Sequence, residues 1–206
     1  IRVESRLGHR DPRRPIGGTG PKLSHQRVGT WREVILGPHD SPVVFFKLMC
    51  HHLVDLDRSF LGSCRNILLI REPRHVIRSL YANLPDVRLG DTGLEGQVDL
   101  LDSILAEGDK PIVIDSAVLL ADPEPVLLEL CRRLGIPFEA AMLSWPPGPK
   151  PEDGVWAEHW YANTHRSTGF EASLPSDDPL PGELSQVLEA AQPLYDRLAG
   201  YAIRPA

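Results

Sequence analysis

Residues 66–84 read NILLIREPRHVIRSLYANL. A short apolar run is closed by Arg71, Pro73 follows, and the apolar residues then change to helical spacing. A continuous apolar run without polar alternation is the pattern of a strand covered on both faces of a parallel sheet. Pro73 suits the first turn of a helix, where its missing N–H costs nothing. Val76, Ile77, Leu80, Tyr81 and Leu84 fall on one helical face, which is expected to pack on the sheet. Two further runs have the same character as NILLI: VVFFK at 43–47 and PIVID at 111–115. Helical patterns separate or follow these runs, at 73–84, 94–107 (stopped by Gly108) and 123–134 (opened by Asp122-Pro123, stopped by Gly135). A short helix is expected over 138–145 and a last one over 183–199, with WPPGPKPEDG (145–154) as a stiff link between them. This alternation predicts an α/β fold with a mostly parallel sheet flanked by helices.

The 206 residues suffice for one domain with a sizeable core, and 42% hydrophobic and 24% charged residues are ordinary for a soluble globular chain. No apolar run approaches the ~20 residues of a membrane span, and the first thirty residues contain no apolar stretch to act as a signal peptide. The three cysteines, Cys50, Cys64 and Cys131, are odd in number and lack CxxC spacing. They argue against a disulfide framework or a zinc knuckle and for a reducing, cytoplasmic setting. The net charge of -6 is uneven, because residues 1–30 carry seven Lys/Arg against two Asp/Glu. That segment has no hydrophobic period and reads as an irregular basic leader, with the domain proper at 31–206. Three strands are few for this length. The chain begins with Ile, so the fold is expected to be incomplete at its N-terminus, with a strand position open or filled by a partner edge.

Arg71 carries the functional reading. In open α/β sheets, ligands bind beyond the carboxyl ends of the strands. There a guanidinium fork meets a helix whose His75, Ser79 and Asn83 recur at four-residue intervals. A guanidinium with a hydroxyl donor makes a phosphate clamp. The spacing alone also fits a solvated or carboxylate-paired arginine and an incidental helix serine.

Arg71-Glu72-Pro73, with Ser79 eight residues after the arginine and Tyr81 two beyond it, resembles the R-x-P-x5-S-x-Y signature of sulfotransferases. VVFFKLMCHHLVDLD (43–57) and SWPPGPKPEDGVWAEHWYANTHRSTGF (144–170) resemble the sulfotransferase-like domain that occurs alone in bacteria and fused to branched-chain aminotransferase-like proteins in plants. The resemblance covers roughly 31–200 and implies a fold related to P-loop nucleoside triphosphatases. It implies that Arg71 and Ser79 hold the 3'-phosphate of 3'-phosphoadenosine-5'-phosphosulfate, the co-substrate, and that a small hydroxylated acceptor receives the sulfuryl group. His51 or His52 would supply the base and Lys47 the basic group near the leaving phosphate, although their spacing departs from the K-x-H arrangement of cytosolic members. Arg166 and Gly169 would belong to a late basic loop over the 3'-phosphate.

The loop for the 5'-phosphosulfate is not evident. GGTGPKLS (17–24) fails the G-x-x-x-x-G-K-[ST] count, and Pro21 removes an amide donor. The alternative on the same scaffold is therefore a catalytically inactive nucleotide-binding or interaction domain; a P-loop kinase or hydrolase ranks last. Cys50, His51 and His52 are adjacent and His159 and His165 lack a third ligand, so no metal is expected. Trp156 and Trp160 share a helical face and read as core before they read as a stacking wall, with His159 and Asn163 as a second four-residue pair. Asp55, Asp57 and Asp115 read as caps or solvated carboxylates, Asp115 also facing the crevice. A nucleotide donor and a small acceptor are the expected partners, without membrane or nucleic acid.

Overall fold

The computed structural model describes residues 34–41, 43–53, 57–82, 84, 86–150, 153, 161–171 and 179–205. Strands β1 (Ile67–Ile70) and β2 (Ile112–Asp115) lie parallel, with Ile67 opposite Ile112 and Ile70 opposite Asp115. They are joined through helices α1 (Pro73–Tyr81) and α2 (Leu94–Ala106). Helices α3 (Ser116–Ala121) and α4 (Pro123–Leu134) follow β2, and α5 (Ala162–Arg166) and α6 (Ser185–Ala199) come after them. The fold is α/β with a small parallel sheet, as the apolar runs and helical periods predict.

Side chains alternate across a strand, so the sheet has two faces to cover. Leu68, Ile70 and Val113 pack with Leu94, Val98 and Leu101 of α2 and Ala191 and Leu198 of α6. Ile112 and Ile114 pack with Val118 and Leu119 of α3, Val126, Leu130 and Leu134 of α4, and Ile203. The result is three layers, which accounts for the apolar Ile67, Leu68, Ile70, Ile112, Val113 and Ile114, while Leu69 on the second face is left 58% exposed. Beyond α6 the chain runs beside β2. Ala202 bridges Val113 in the parallel sense, and the Ile203 N–H donates to the Val113 carbonyl at 2.9 Å.

Several expectations are corrected. VVFFK is not a strand; residues 43–49 have no regular secondary structure, and Val43 and Phe45 are 54% and 41% exposed. Apolar composition favours burial, but a strand also needs a ladder partner, and none flanks this run among the described residues. Only Phe46 and Leu48 turn toward the core. The apolar face of α1 does not pack on the sheet. Ile77 is fully buried against Val87 and Leu184, with Leu80, Leu84, Val187 and Leu188 around it, so α1 leans on the first half of α6. The sheet face on that side is already covered by α2 and α6. Helix α1 ends at Tyr81, short of 84, and the helix expected over 138–145 shrinks to one 3-10 turn, Ala140–Met142. No helix among the described residues is long and apolar enough to cross a membrane.

Candidate functional site

The carboxyl ends of β1 and β2 form the floor of the candidate site. Because Ile70 pairs with Asp115, Arg71 leaves β1 beside the end of β2, and it is exposed there. Glu72 caps α1: its carboxylate accepts the His75 N–H at 3.3 Å, and Pro73 takes the first helical position, buried. A negative charge at this terminus complements the helix dipole. The His75 Nε2 lies 3.6 Å from the same Glu72 oxygen. Ser79 is exposed, two positions from buried Ile77 and so on the far side of the helix. Helix α1 thus separates an apolar face, fixed on α6, from a solvent face bearing Ser79.

Asp115 is the one buried charged residue among those described. A buried carboxylate is tolerated when both oxygens are bonded, and here they are. Oδ1 accepts the Ala117 N–H at 2.8 Å, capping α3, and Oδ2 accepts the Tyr195 hydroxyl at 2.5 Å. The Tyr195 phenol is pushed far above its ordinary value by burial, then by donation to Asp115, with the negative charges of Asp115, Glu72 and Asp196 adding to it. It remains a proton donor at any physiological pH. The side chain of Gln97 donates to the Leu69 carbonyl at 2.8 Å, tying α2 to β1 near its carboxyl end. Three helices are therefore pinned to the strand ends around Arg71.

The described residues of 143–150 and 161–170 pack on one another. Ser144 and Gly169 form an antiparallel bridge, and Trp145 donates its indole N–H to Ser167 at 3.1 Å and meets Phe170 edge-on. His165 Nε2 bonds Asp153 at 2.8 Å. The Lys150 N–H holds the Asp153 carboxyl below its ordinary range, with burial opposing and His165 adding to the effect. A Cβ on Gly169 would lie 3.1 Å from the Leu143 carbonyl oxygen, so the bridge itself calls for glycine here.

The sequence profile of the sulfotransferase domain matches residues 34–202. The chain belongs to the sulfotransferase-domain family. Branched-chain-amino-acid aminotransferase-like protein 2 of Arabidopsis thaliana is 33% identical over 168 residues, 81% of this chain and 30% of that protein. Branched-chain-amino-acid aminotransferase-like protein 1 of the same plant is 34% identical over 171 residues, 82% of this chain and 31% of that protein. The chain thus spans about three tenths of the length of these relatives. No solved structure matches it significantly.

Set against this sulfotransferase domain, the residues named from the sequence divide by location. Arg71 directly follows β1 and Ser79 lies in the second half of α1, both exposed. Lys47 is exposed in the irregular run 43–49. His51 and His52 lie in the 3-10 turn Cys50–Leu53, their side chains outside the described residues. That turn is held against α2, where a Cβ on Gly96 would come within 2.9 Å of the Cys50 Cβ. Arg166 is exposed at the end of α5, and Gly169 is in the bridge. Asn83, Asp55, Trp156, His159, Trp160 and GGTGPKLS lie outside the described residues, as does the side chain of Asn163. Asp57 is an exposed carboxylate just before the 3-10 turn Ser59–Ser63, accepting the Ser59 N–H at 2.9 Å and the Ser59 hydroxyl at 2.8 Å. Asp115 is a cap but not solvated. Sequence reasoning missed Tyr195, Gln97 and the capping role of Glu72; of these only Glu72, an acid just before Pro73 at a helix start, leaves a local signal. Among the described residues, no group of three His, Cys, Asp or Glu is set to hold a metal.

Proposed function

We propose that this sulfotransferase domain binds 3'-phosphoadenosine-5'-phosphosulfate, with Arg71 and Ser79 gripping the 3'-phosphate. The observation that carries the reading is the position of Arg71. It is an exposed guanidinium at the carboxyl end of a parallel strand, followed by a capped helix that presents Ser79 to solvent. Arg166, on the surface at the end of α5, adds a second cation for the same nucleotide.

The chemistry is transfer of the sulfuryl group to a small hydroxylated acceptor. The acceptor oxygen attacks sulfur, and the bond from sulfur to the bridging oxygen of the 5'-phosphate breaks. The hydroxyl proton passes to His51 or His52, giving a sulfate monoester and 3'-phosphoadenosine-5'-phosphate. Lys47 offsets the charge that develops on the leaving phosphate, as cations do in phosphoryl transfer.

Calorimetry with 3'-phosphoadenosine-5'-phosphate tests the binding step. Heat in the wild type that is abolished by Arg71→Ala and reduced by Ser79→Ala supports the clamp; no heat and no thermal shift at millimolar nucleotide removes it. Transfer of labelled sulfate to a panel of hydroxylated acceptors then separates an enzyme from a domain that binds nucleotide without turnover.

A further inference from the structure

At the amino ends of the strands, away from the proposed nucleotide site, a cavity of about 580 Å³ opens between the start of β1, the start of β2 and the last turns of α2 and α4. This lies within the ~300–1,000 Å³ range of small-ligand pockets. Ile104 and Pro111 supply apolar wall, while Arg65, Lys110, Arg132 and Arg133 all line it. A parallel sheet gathers its strand starts at one edge, so the cavity is separated from Arg71 by the length of β1, about 13 Å.

The charges here do not cancel. Glu129 accepts from Arg132 Nε and Nη2 at 2.6 and 2.8 Å and from Arg133 Nε at 2.7 Å. One carboxylate is thereby spent on two guanidiniums, and the terminal amino groups of Arg133 bond to no described residue. Arg65 and Lys110 are exposed and make no hydrogen bond or ion pair with a described residue. Asp109 is the one carboxylate that lines the wall; Glu129 reaches it only through its bonds to Arg132 and Arg133. Against the four lining cations stand Asp109, the Glu129 carboxylate bonded to Arg132 and Arg133, and two helix carboxyl ends, each equivalent to about half a negative charge. About one net positive charge remains, concentrated where a concave wall limits screening. An anion with several oxygens would also replace missing partners for Arg65, Lys110 and Arg133.

We propose that this cavity is a second anion site, specific for small molecules bearing two or more phosphate or sulfate groups, and independent of the nucleotide site at the opposite edge of the sheet. A single-charged anion gains too little from one net charge to compete with water, whereas a polyanion reaches both the free pair, Arg65 and Lys110, and the paired arginines. The proposal does not depend on whether Arg71 binds nucleotide.

The test uses the 206-residue chain and inorganic pyrophosphate, followed through the amide resonances of Gly108, Asp109 and Lys110. Saturable shifts at these amides are expected, weakening with salt and at least about tenfold weaker in Arg65→Gln/Lys110→Gln. They should be unchanged in Arg71→Ala. Absence of shifts up to about 10 mM pyrophosphate, or persistence of wild-type affinity in the double variant, overturns the site. Loss in Arg71→Ala also overturns it, by showing that pyrophosphate reports on the other edge. The wild-type titration stands if the double variant fails to fold. A parallel titration with 3'-phosphoadenosine-5'-phosphate in Arg71→Ala distinguishes the sources: shifts at the same amides assign nucleotides to the cavity, and their absence beside a positive pyrophosphate result assigns free polyanions.

Discussion

At the carboxyl edge of the sheet, the buried carboxylate of Asp115 has a donor on each oxygen; at the amino edge, Arg65 and Lys110 stand exposed without a partner among the described residues. The contrast follows from solvation. A buried charge must be bonded, so it becomes a fixed part of the frame. An exposed cation is satisfied by water and remains free to exchange that water for a ligand. Asp115 and Tyr195 therefore help determine where the strand ends and helices sit, while Arg71 and Arg65 stand exposed to solvent. Arg71 shares the edge with Asp115 but resembles Arg65 in exposure.

The strongest challenge to this division is Asp115→Ala. It leaves the Tyr195 hydroxyl and the Ala117 N–H without acceptors at a buried position, and each such loss costs ~1–3 kcal/mol. Urea unfolding is expected to show a loss of about 3–4 kcal/mol; a loss below about 1 kcal/mol would mean the pair is dispensable to the frame. Arg71→Ala should do the reverse. Nucleotide affinity falls at least about thirtyfold, near 2 kcal/mol, while the melting temperature stays close to that of the wild type. If both drop together, Arg71 belongs to the frame.

Tyr195→Phe sharpens the same comparison through pH. It is expected to cost about 1.5 kcal/mol at pH 7, the value of a hydrogen bond to a charged group. Folding raises the Tyr195 pKa, because burial and the Asp115 bond disfavour phenolate. The stabilisation is therefore complete below the unfolded tyrosine pKa of about 10 and declines above it, as the unfolded chain ionises and the folded one does not. Urea midpoints of wild type and variant should converge between about pH 9 and 11. Parallel curves would show that the phenol is not held protonated by the fold.

NILLI and PIVID could be read as strands because they pair with each other and pack against helices, PIVID on both faces and NILLI with Leu69 left exposed, so local composition and tertiary context largely agree. VVFFK has equally strong composition but no ladder partner among the described residues, and composition cannot supply one. The helix boundaries around 94, 123 and 134 were legible because Asp122-Pro123 and Gly135 act locally; Gly135 has φ 73° at the end of α4. Arg71 and Ser79 were singled out by a fixed spacing within one strand–helix unit, and their proposed role rests on that spacing and on their exposure. Tyr195 was not: it meets Asp115 across 80 residues, and its helical period shows only that it lies on α6. The basic cavity was equally hidden, since Arg65, Lys110 and the Arg132-Arg133 pair are dispersed in sequence and gathered only by the parallel strand starts.

The smallest expected effect belongs to the amino edge and concerns Glu129. Hydrogen bonds from Arg132 and then Arg133 hold its carboxyl at about 2, well below the ordinary ~4.3. Because the folded pKa is the lower one, its contribution is present above the ordinary value and is lost as pH falls toward 2. The carboxylate is partly exposed and both arginine partners lie at the surface, so the stabilisation is small and screened by salt. Glu129→Gln should leave the neutral-pH melting temperature nearly unchanged and flatten its decline between about pH 4.5 and 2. Its effect on ligand is the more telling one. Removing the carboxylate frees both guanidiniums and adds one positive charge beside the cavity, so pyrophosphate should bind about threefold tighter at low salt. A weaker complex would instead mean that Glu129 positions Arg132 and Arg133 for the anion, and that pre-orientation outweighs net charge at this edge.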